Sequence, residues 1–207
     1  MAIVSSRRSF LKSVACFALL PGACGGSVKL DRLGANDVIL AFGDSLTFGT
    51  GAGPTESYPA VLERNIGHKV VNAGVPGEAS AEGLARLPEV LEEVRPKLLI
   101  LCHGGNDFLR RLDESKASDN VRAMIKLAHG KGIAVVLLAT PKPGLPPYVP
   151  KFYGELAAGE RIPFEEDVIK AVLIDNRLKS DMVHPNATGY AQIAAALQKV
   201  LTKAGAI

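Results

Sequence analysis

The sequence predicts one α/β domain built on a parallel sheet. Three observations carry that expectation. From Asp37 onward, short apolar runs alternate with stretches whose apolar residues recur at helical spacing. The runs Val38–Phe42, Lys97–Cys102 and Ile133–Ala139 are nearly continuous in apolar residues, as strands covered on both faces are. The 207 residues, 47% hydrophobic and 22% charged, suffice for one sizeable core.

The first strand, Val38–Phe42, ends at Gly43, with Asp44 and Ser45 next. The loop Gly49–Pro54 is glycine-rich but lacks the Gly-Lys-Ser/Thr ending of a phosphate loop, so it is not read as nucleotide-binding. A helix over Ser57–Asn65 follows, with Tyr58, Val61 and Leu62 on one face, and Gly67 ends it. The second strand is Lys69–Asn72. Beyond the loop Ala73–Gly77, a helix over Ser80–Arg86 is expected to break at Pro88 and resume to Val94. The third strand, Lys97–Cys102, delivers His103-Gly-Gly-Asn-Asp107 to its carboxyl end. A helix over Ser118–His129 turns inward Val121, Met124, Ile125 and Ala128, and Gly130 and Gly132 suit its end. The fourth strand is Ile133–Ala139. Thr140–Pro150 is too proline-dense for a helix and reads as a pocket wall, a lid or a plain connector. Helical turns over Lys151–Ala158, a fifth strand within Arg161–Glu165 and a last helix beyond Pro185-Asn186 complete the domain.

Residues 1–23 stand apart. Ser6-Arg-Arg-Ser-Phe-Leu-Lys12, the apolar run Val14–Leu20 and the small residues before Cys24 have the three-part layout of a twin-arginine export signal. The expected organisation is a signal peptide over 1–23, a tether and lead-in over 24–36, and the domain over 37–207. Export to the periplasm or cell envelope is expected. Cys24 sits where a lipoprotein carries its acyl chains, but Pro21 replaces the large aliphatic residue usual three positions earlier. Membrane attachment through a lipidated Cys24 is therefore left open.

The 24 Lys and Arg residues include Arg7, Arg8 and Lys12; without these, 21 bases face 21 acids. The apparent basicity belongs to the export signal, and no basic stripe remains to suggest nucleic acid. Cys16 leaves with the signal, Cys102 lies in an apolar run as a small hydrophobe, and the cysteines show no metal spacing.

The chemistry is expected at the carboxyl edge of the sheet, where open α/β sheets place their ligands. Ser45 falls there. A serine hydroxyl needs an adjacent base to become a nucleophile, and histidine is the side chain that takes and returns a proton near neutral pH. Of the four histidines, His68 and His129 read as surface residues. His103 is at the right edge, with only Asp107 to orient it. His184 follows Asp181 by three, so a turn lets the carboxylate hold Nδ1–H and leaves Nε2 for Ser45. Taken alone, Asp181…His184 also suits a helix entry with capping side chains. Candidate donors to a developing oxyanion are the N–H of Ser45, the N–H of Gly74 and the amide of Asn106.

Together, Gly43-Asp-Ser-Leu46, Asn72-Ala-Gly74, Gly104-Gly-Asn-Asp107 and Asp181-Met-Val-His184 resemble the four blocks of the SGNH, or GDSL, hydrolase superfamily, in order and across essentially the whole mature chain. The resemblance implies a flavodoxin-like three-layer α/β/α sandwich with a five-stranded parallel sheet of order 2-1-3-4-5. It implies Ser45 as nucleophile, His184 and Asp181 completing a triad, and Ser45, Gly74 and Asn106 as the oxyanion hole. Asp44 and Asp107 would orient their neighbours. No cofactor and no metal is implied. Gly-Gly-Asn-Asp-Phe-Leu-Arg110 is similar to the bacterial arylesterase, thioesterase and lysophospholipase branch, with His103 departing from the apolar residue expected before it. The ordinary nucleophile elbow of α/β-hydrolases is absent at Ser45, because Thr47 stands where its second glycine belongs.

The reading that follows is an exported serine esterase acting on a small-molecule acyl ester, with thioesters and lysophospholipids left open as substrates. A second reading is an O-acetyl esterase or acyltransferase of envelope polysaccharide, which the 5% aromatic content supports little. A third is a non-catalytic flavodoxin-like binding module. Oligomeric state is not set by the sequence.

Overall fold

A computed structural model of the chain describes Met1 and residues 28–207. The expectations for the export signal and for Cys24 lie outside the described residues. Strand β1 (Ile39–Gly43) is the centre of the site edge, and the short helix α1 (Ser45–Phe48) follows it at once. Then come α2 (Tyr58–Ile66), β2 (Val70–Gly74), α3 (Ser80–Val94), β3 (Leu98–Cys102), α4 (Gly105–Leu109) and α5 (Glu114–Gly130). The chain continues with β4 (Ala134–Leu138), α6 (Phe152–Glu160), β5 (Phe164–Glu165), α7 (Val168–Ile174) and α8 (Ala187–Ala204).

The five strands form one parallel sheet in the order β2-β1-β3-β4-β5. The side-chain period of two divides the core into two layers. Ile39, Ala41, Leu98, Ile100 and Val136 point to one face and pack on α2, α7 and α8 through Leu62, Val172, Ile193 and Leu197. Leu40, Phe42, Leu99, Leu101 and Val135 point to the other and meet α3, α5 and α6 through Leu87, Met124, Ile125 and Tyr153. The result is the three-layer α/β/α sandwich with the expected strand order.

Several elements differ from the sequence reading. Helix α3 runs unbroken through Pro88. That ring lies on the exposed face, while Leu87 and Leu91 are buried on the other, so the proline does not enter the core. Helix α5 begins four residues before the expected Ser118, because Asp113 caps it by accepting from the Ser115 N–H at 2.9 Å. Helices α1, α4 and α7 were not expected at all. The lead-in also packs on the domain: the Leu30 N–H donates to Ala204 O at 2.9 Å, the Leu33 N–H to Ala206 O at 2.8 Å, and Leu33 is buried.

Ile100 lies at the middle of β3 with no exposed surface. Ile100→Ala is expected to cost about 2–5 kcal/mol. The check is a lower urea midpoint with an unchanged m-value.

Candidate active site

Three strands end level. Gly43 of β1 pairs with Gly74 of β2 on one side and with Cys102 of β3 on the other. Glycine is required at 43, because a Cβ there would lie 2.1 Å from Cys102 O and 2.4 Å from Thr47 Oγ1. The chain therefore turns directly from β1 into α1. Asp44 caps α1 by accepting from the Leu46 N–H at 3.0 Å, and Gly49, at φ +101°, closes it with an N–H bond to Ser45 O. Ser45 is thereby held at the first position of a helix on the sheet edge, partly exposed.

The segment between α7 and α8 brings the histidine to it. His184 Nε2 lies 2.9 Å from Ser45 Oγ, and His184 Nδ1 lies 2.7 Å from Asp181 Oδ2. Asp181 Oδ1 accepts from the N–H groups of Val183 and His184, both at 2.8 Å. Burial alone would raise the Asp181 carboxyl, but the bonds from His184 and the two amides outweigh it and hold the group below its ordinary range. With Nδ1–H given to that carboxylate, Nε2 keeps its lone pair and can accept from the Ser45 hydroxyl. The loop is pinned on both flanks. The Ser180 N–H donates to His184 O at 2.9 Å, and Asn186 caps α8 by accepting from the Gly189 N–H at 3.1 Å. Tyr190 on α8 donates to Thr50 O at 2.9 Å, tying the histidine side of the site to the serine side.

Asn106 sits in the first turn of α4, almost buried. Its amide donates to Asp44 Oδ2 at 3.2 Å and to Glu78 O at 3.1 Å. Gly74 does not join it. The Gly74 N–H is taken by Asn72 Oδ1 at 2.9 Å, and a Cβ at Gly74 would lie 2.1 Å from Phe48 N. Its place in the fold is the close approach of α1 to β2, and it does not line the cavity. In the same loop the N–H of Gly77, at φ +81°, meets no acceptor among the described residues; Gly77 adjoins the Glu78 carbonyl that holds Asn106.

His103 is fully buried and pairs with Glu78, not with Asp107: its Nε2 lies 3.0 Å from Glu78 Oε2. Arg86 grips the same carboxylate with two bonds of 2.7 Å. Burial would raise Glu78, but Arg86 and then His103 bring it down to about 2. Asp107 instead accepts from the Ser80 N–H and Oγ, at 2.8 and 2.7 Å, and fixes the start of α3. The Glu78 pairing was invisible in the sequence, because 25 residues separate it from His103.

A cavity of about 400 Å³ opens beside Ser45. Asp44, Ser45, Asn106 and His184 form its floor. The proline loop after β4, through Pro141, Pro143, Leu145 and Pro147, makes one wall; Leu173, Ile174 and Met182 make another. The loop is closed by a two-way backbone pairing between Lys142 and Tyr148 and is tied to α5 by Lys142 Nζ–Glu114 Oε2 at 2.8 Å.

Residues 41–192 match the model of the GDSL-like lipase/acylhydrolase family, which covers most of the chain and all the residues just described. The chain belongs to that family. As a member of it, the protein is a carboxylic ester hydrolase of the SGNH type. It is similar to the esterase TesA of Pseudomonas aeruginosa, with 32% identity over 183 residues that span 81% of this chain and 89% of that one. Among solved structures, a crystal structure of TesA has a TM-score of 0.72 at 28% identity and covers 80% of this chain and 98% of its own. AlinE4, an SGNH-hydrolase family esterase, has a TM-score of 0.64 at 33% identity over 84% and 98% of the two chains. Within this GDSL-type fold, the four sequence blocks converge on the cavity floor except at Gly74.

Two outcomes follow for the floor. Gly74→Ala is expected to push α1 off β2, costing about 1–3 kcal/mol of stability and lowering ester turnover, both read on purified protein. Burial lifts the Asp44 carboxyl above its ordinary value, although His103, the Leu46 amide, His184 and Asn106 all favour the anion. A raised carboxyl binds its proton more tightly in the folded chain than in the unfolded one. Stability is therefore lost as pH rises from the unfolded value through the folded one, and the deficit persists above it. Asp44→Asn keeps the shape and the cap without the charge, but loses the bond from Asn106. Its melting temperature relative to the parent's should therefore rise between about pH 4 and pH 7.

Proposed function

We propose that the protein is an exported serine esterase in which Ser45 is the nucleophile, His184 the general base and acid, and Asp181 the group that orients and stabilises the imidazole. The observation that carries the reading is the unbroken line Ser45 Oγ–His184 Nε2 and His184 Nδ1–Asp181 Oδ2, at 2.9 and 2.7 Å. Ser45 Oγ attacks the acyl carbonyl and its proton passes to His184 Nε2. The tetrahedral intermediate collapses, and His184 returns the proton to the departing alcohol, leaving an acyl-Ser45. Water then attacks that ester, again losing its proton to His184, and releases the acid and free Ser45. The oxyanion donors are the Ser45 N–H and the Asn106 amide. Asn106 lines the cavity, and the oxyanion takes the place of one of its two resting acceptors. The unengaged Gly77 N–H is the third donor in preference to Gly74, which is packed against α1, away from the cavity, with its N–H held by Asn72.

The largely apolar cavity supports an acyl chain lying against the proline wall, with thioesters and lysophospholipids as further substrates of the same chemistry. It gives a polysaccharide acetyl ester little polar surface to grip. Export rests on Arg7-Arg8 and the apolar run behind them, and attachment at the membrane rests on acylation of Cys24.

Ser45→Ala is expected to reduce hydrolysis of p-nitrophenyl butyrate by at least about 10⁴-fold. Asn106→Ala should reduce kcat by about 10²–10³-fold with little change in KM. A fluorophosphonate should label the parent at Ser45. Undiminished turnover in Ser45→Ala would remove the reading.

A further inference from the structure

The large apolar side chains left exposed on this molecule are not scattered. Among residues 28–207, all but Leu127 lie in segments at the carboxyl edge of the sheet. Phe48 ends α1 and Val75 follows β2. Leu109 and Leu112 flank the exit of α4. Leu145, wholly exposed, and Tyr148 stand on the proline loop. Ile174 ends α7, and Met182, 85% exposed, lies between the two residues proposed to serve the serine. Isolated exposed apolar side chains need no explanation, but a ring of them at one pole marks an interaction surface.

The cavity mouth opens inside this ring: Leu109, Leu145, Ile174 and Met182 also line it. Whatever covers the ring must still deliver an ester to Ser45. A second copy or a tightly bound protein would close the mouth. A fluid lipid surface does not, because its own molecules can enter. The side chains are separate knobs on several different loops, a form that enters a hydrocarbon layer more readily than it builds a flat protein interface.

Charge at this pole agrees. Most of its acids are engaged: Asp181 with His184, Asp175 with Arg177, Glu114 with Lys142, and Asp113 at the cap of α5, whereas Glu166, just past β5, has no basic group within 4 Å among the described residues. Arg111, in Leu109-Arg-Arg-Leu112, and Lys179, at the cavity wall, have no carboxylate within 4 Å among the described residues. Basic groups interleaved with apolar ones suit an interface carrying phosphate head groups.

We propose that the ring of exposed apolar side chains around the cavity mouth docks the protein on a phospholipid surface, from which it draws ester substrate. This rests on the esterase reading for the substrate step and on surface chemistry alone for the docking step. Leu112 of the ring and the exposed Arg111 beside it do not line the cavity. The test uses the chain from residue 25 onward, which carries neither the expected export signal nor Cys24, so that neither an apolar leader nor an acyl anchor contributes. Vesicles of phosphatidylcholine and phosphatidylglycerol carry p-nitrophenyl decanoate, and p-nitrophenyl butyrate serves as the dissolved ester.

The parent should float with the vesicles. Leu112→Glu with Arg111→Glu should lower vesicle binding and vesicle-borne turnover by about tenfold each, with turnover of the dissolved ester unchanged. Leu127→Glu, away from the ring, should change neither. The proposal is overturned if the parent stays with the soluble fraction, or if the double variant binds and turns over as the parent does. It is overturned equally if the parent is a dimer in gel filtration that the double variant dissociates. Failure of the esterase reading has a different signature: dissolved-ester turnover that is absent, or that survives Ser45→Ala, while flotation still reports on the ring.

Discussion

The site depends on three parallel strands that end at one level. Because Gly43 pairs with both Gly74 and Cys102, the segments leaving β1, β2 and β3 emerge side by side. Residues 139 positions apart, Ser45 and His184, then meet at hydrogen-bond distance without any long excursion of the chain. The absence of a side chain at 43 and at 74 is part of the same constraint. Each glycine lets α1 lie against the strand ends, and a methyl group at either would displace the helix that carries Ser45. The two glycines thus act on the serine through packing, and their contribution is steric rather than chemical.

At the cavity floor and beneath it lies a buried polar layer in which two carboxylates have opposite fates. Glu78 is ionised far into acid because Arg86 forks onto it and His103 adds a third bond. Asp44 has no cation in contact and carries the cost of burial, so its carboxyl is raised. Both hold Asn106, one through a side-chain oxygen and one through a backbone carbonyl. The asparagine amide is therefore fixed at once from the segments that follow β1 and β2. His103 ties the β2 loop to the end of β3 where an apolar side chain could only fill space. Its carbonyl also accepts from Tyr153 at 2.7 Å, which extends the same support to α6 behind the proline loop.

How much could be read in the chain follows from the range of each interaction. The strands were legible because burial on both faces leaves a continuous apolar run, and the order of the four blocks placed Ser45, Asn106, Asp181 and His184 on one edge. Helices α1 and α4, four and five residues long, were missed because neither completes enough turns to show a period. Helix α7 was missed because Val168–Ile174 is apolar almost throughout and has no stripe. Pro88 misled because its cost depends on which face meets water, and that is a property of packing. Asp113 was a signal that could have been used: a capping acid followed by Glu114 announces α5 before its apolar residues do.

The sequence by itself determined the fold class, the strand order through the family it resembles, and the residue types that meet at the edge. Those features rest on local patterning and on motif order, which a linear chain displays. Only the tertiary structure decided that Gly74 supports α1 in place of facing the cavity, that His103 belongs to Glu78, and that the exposed apolar side chains gather at one pole. Each is a relation between surfaces contributed by separate loops. Such relations exist only once the sheet has set those loops beside one another, so no spacing along the chain encodes them.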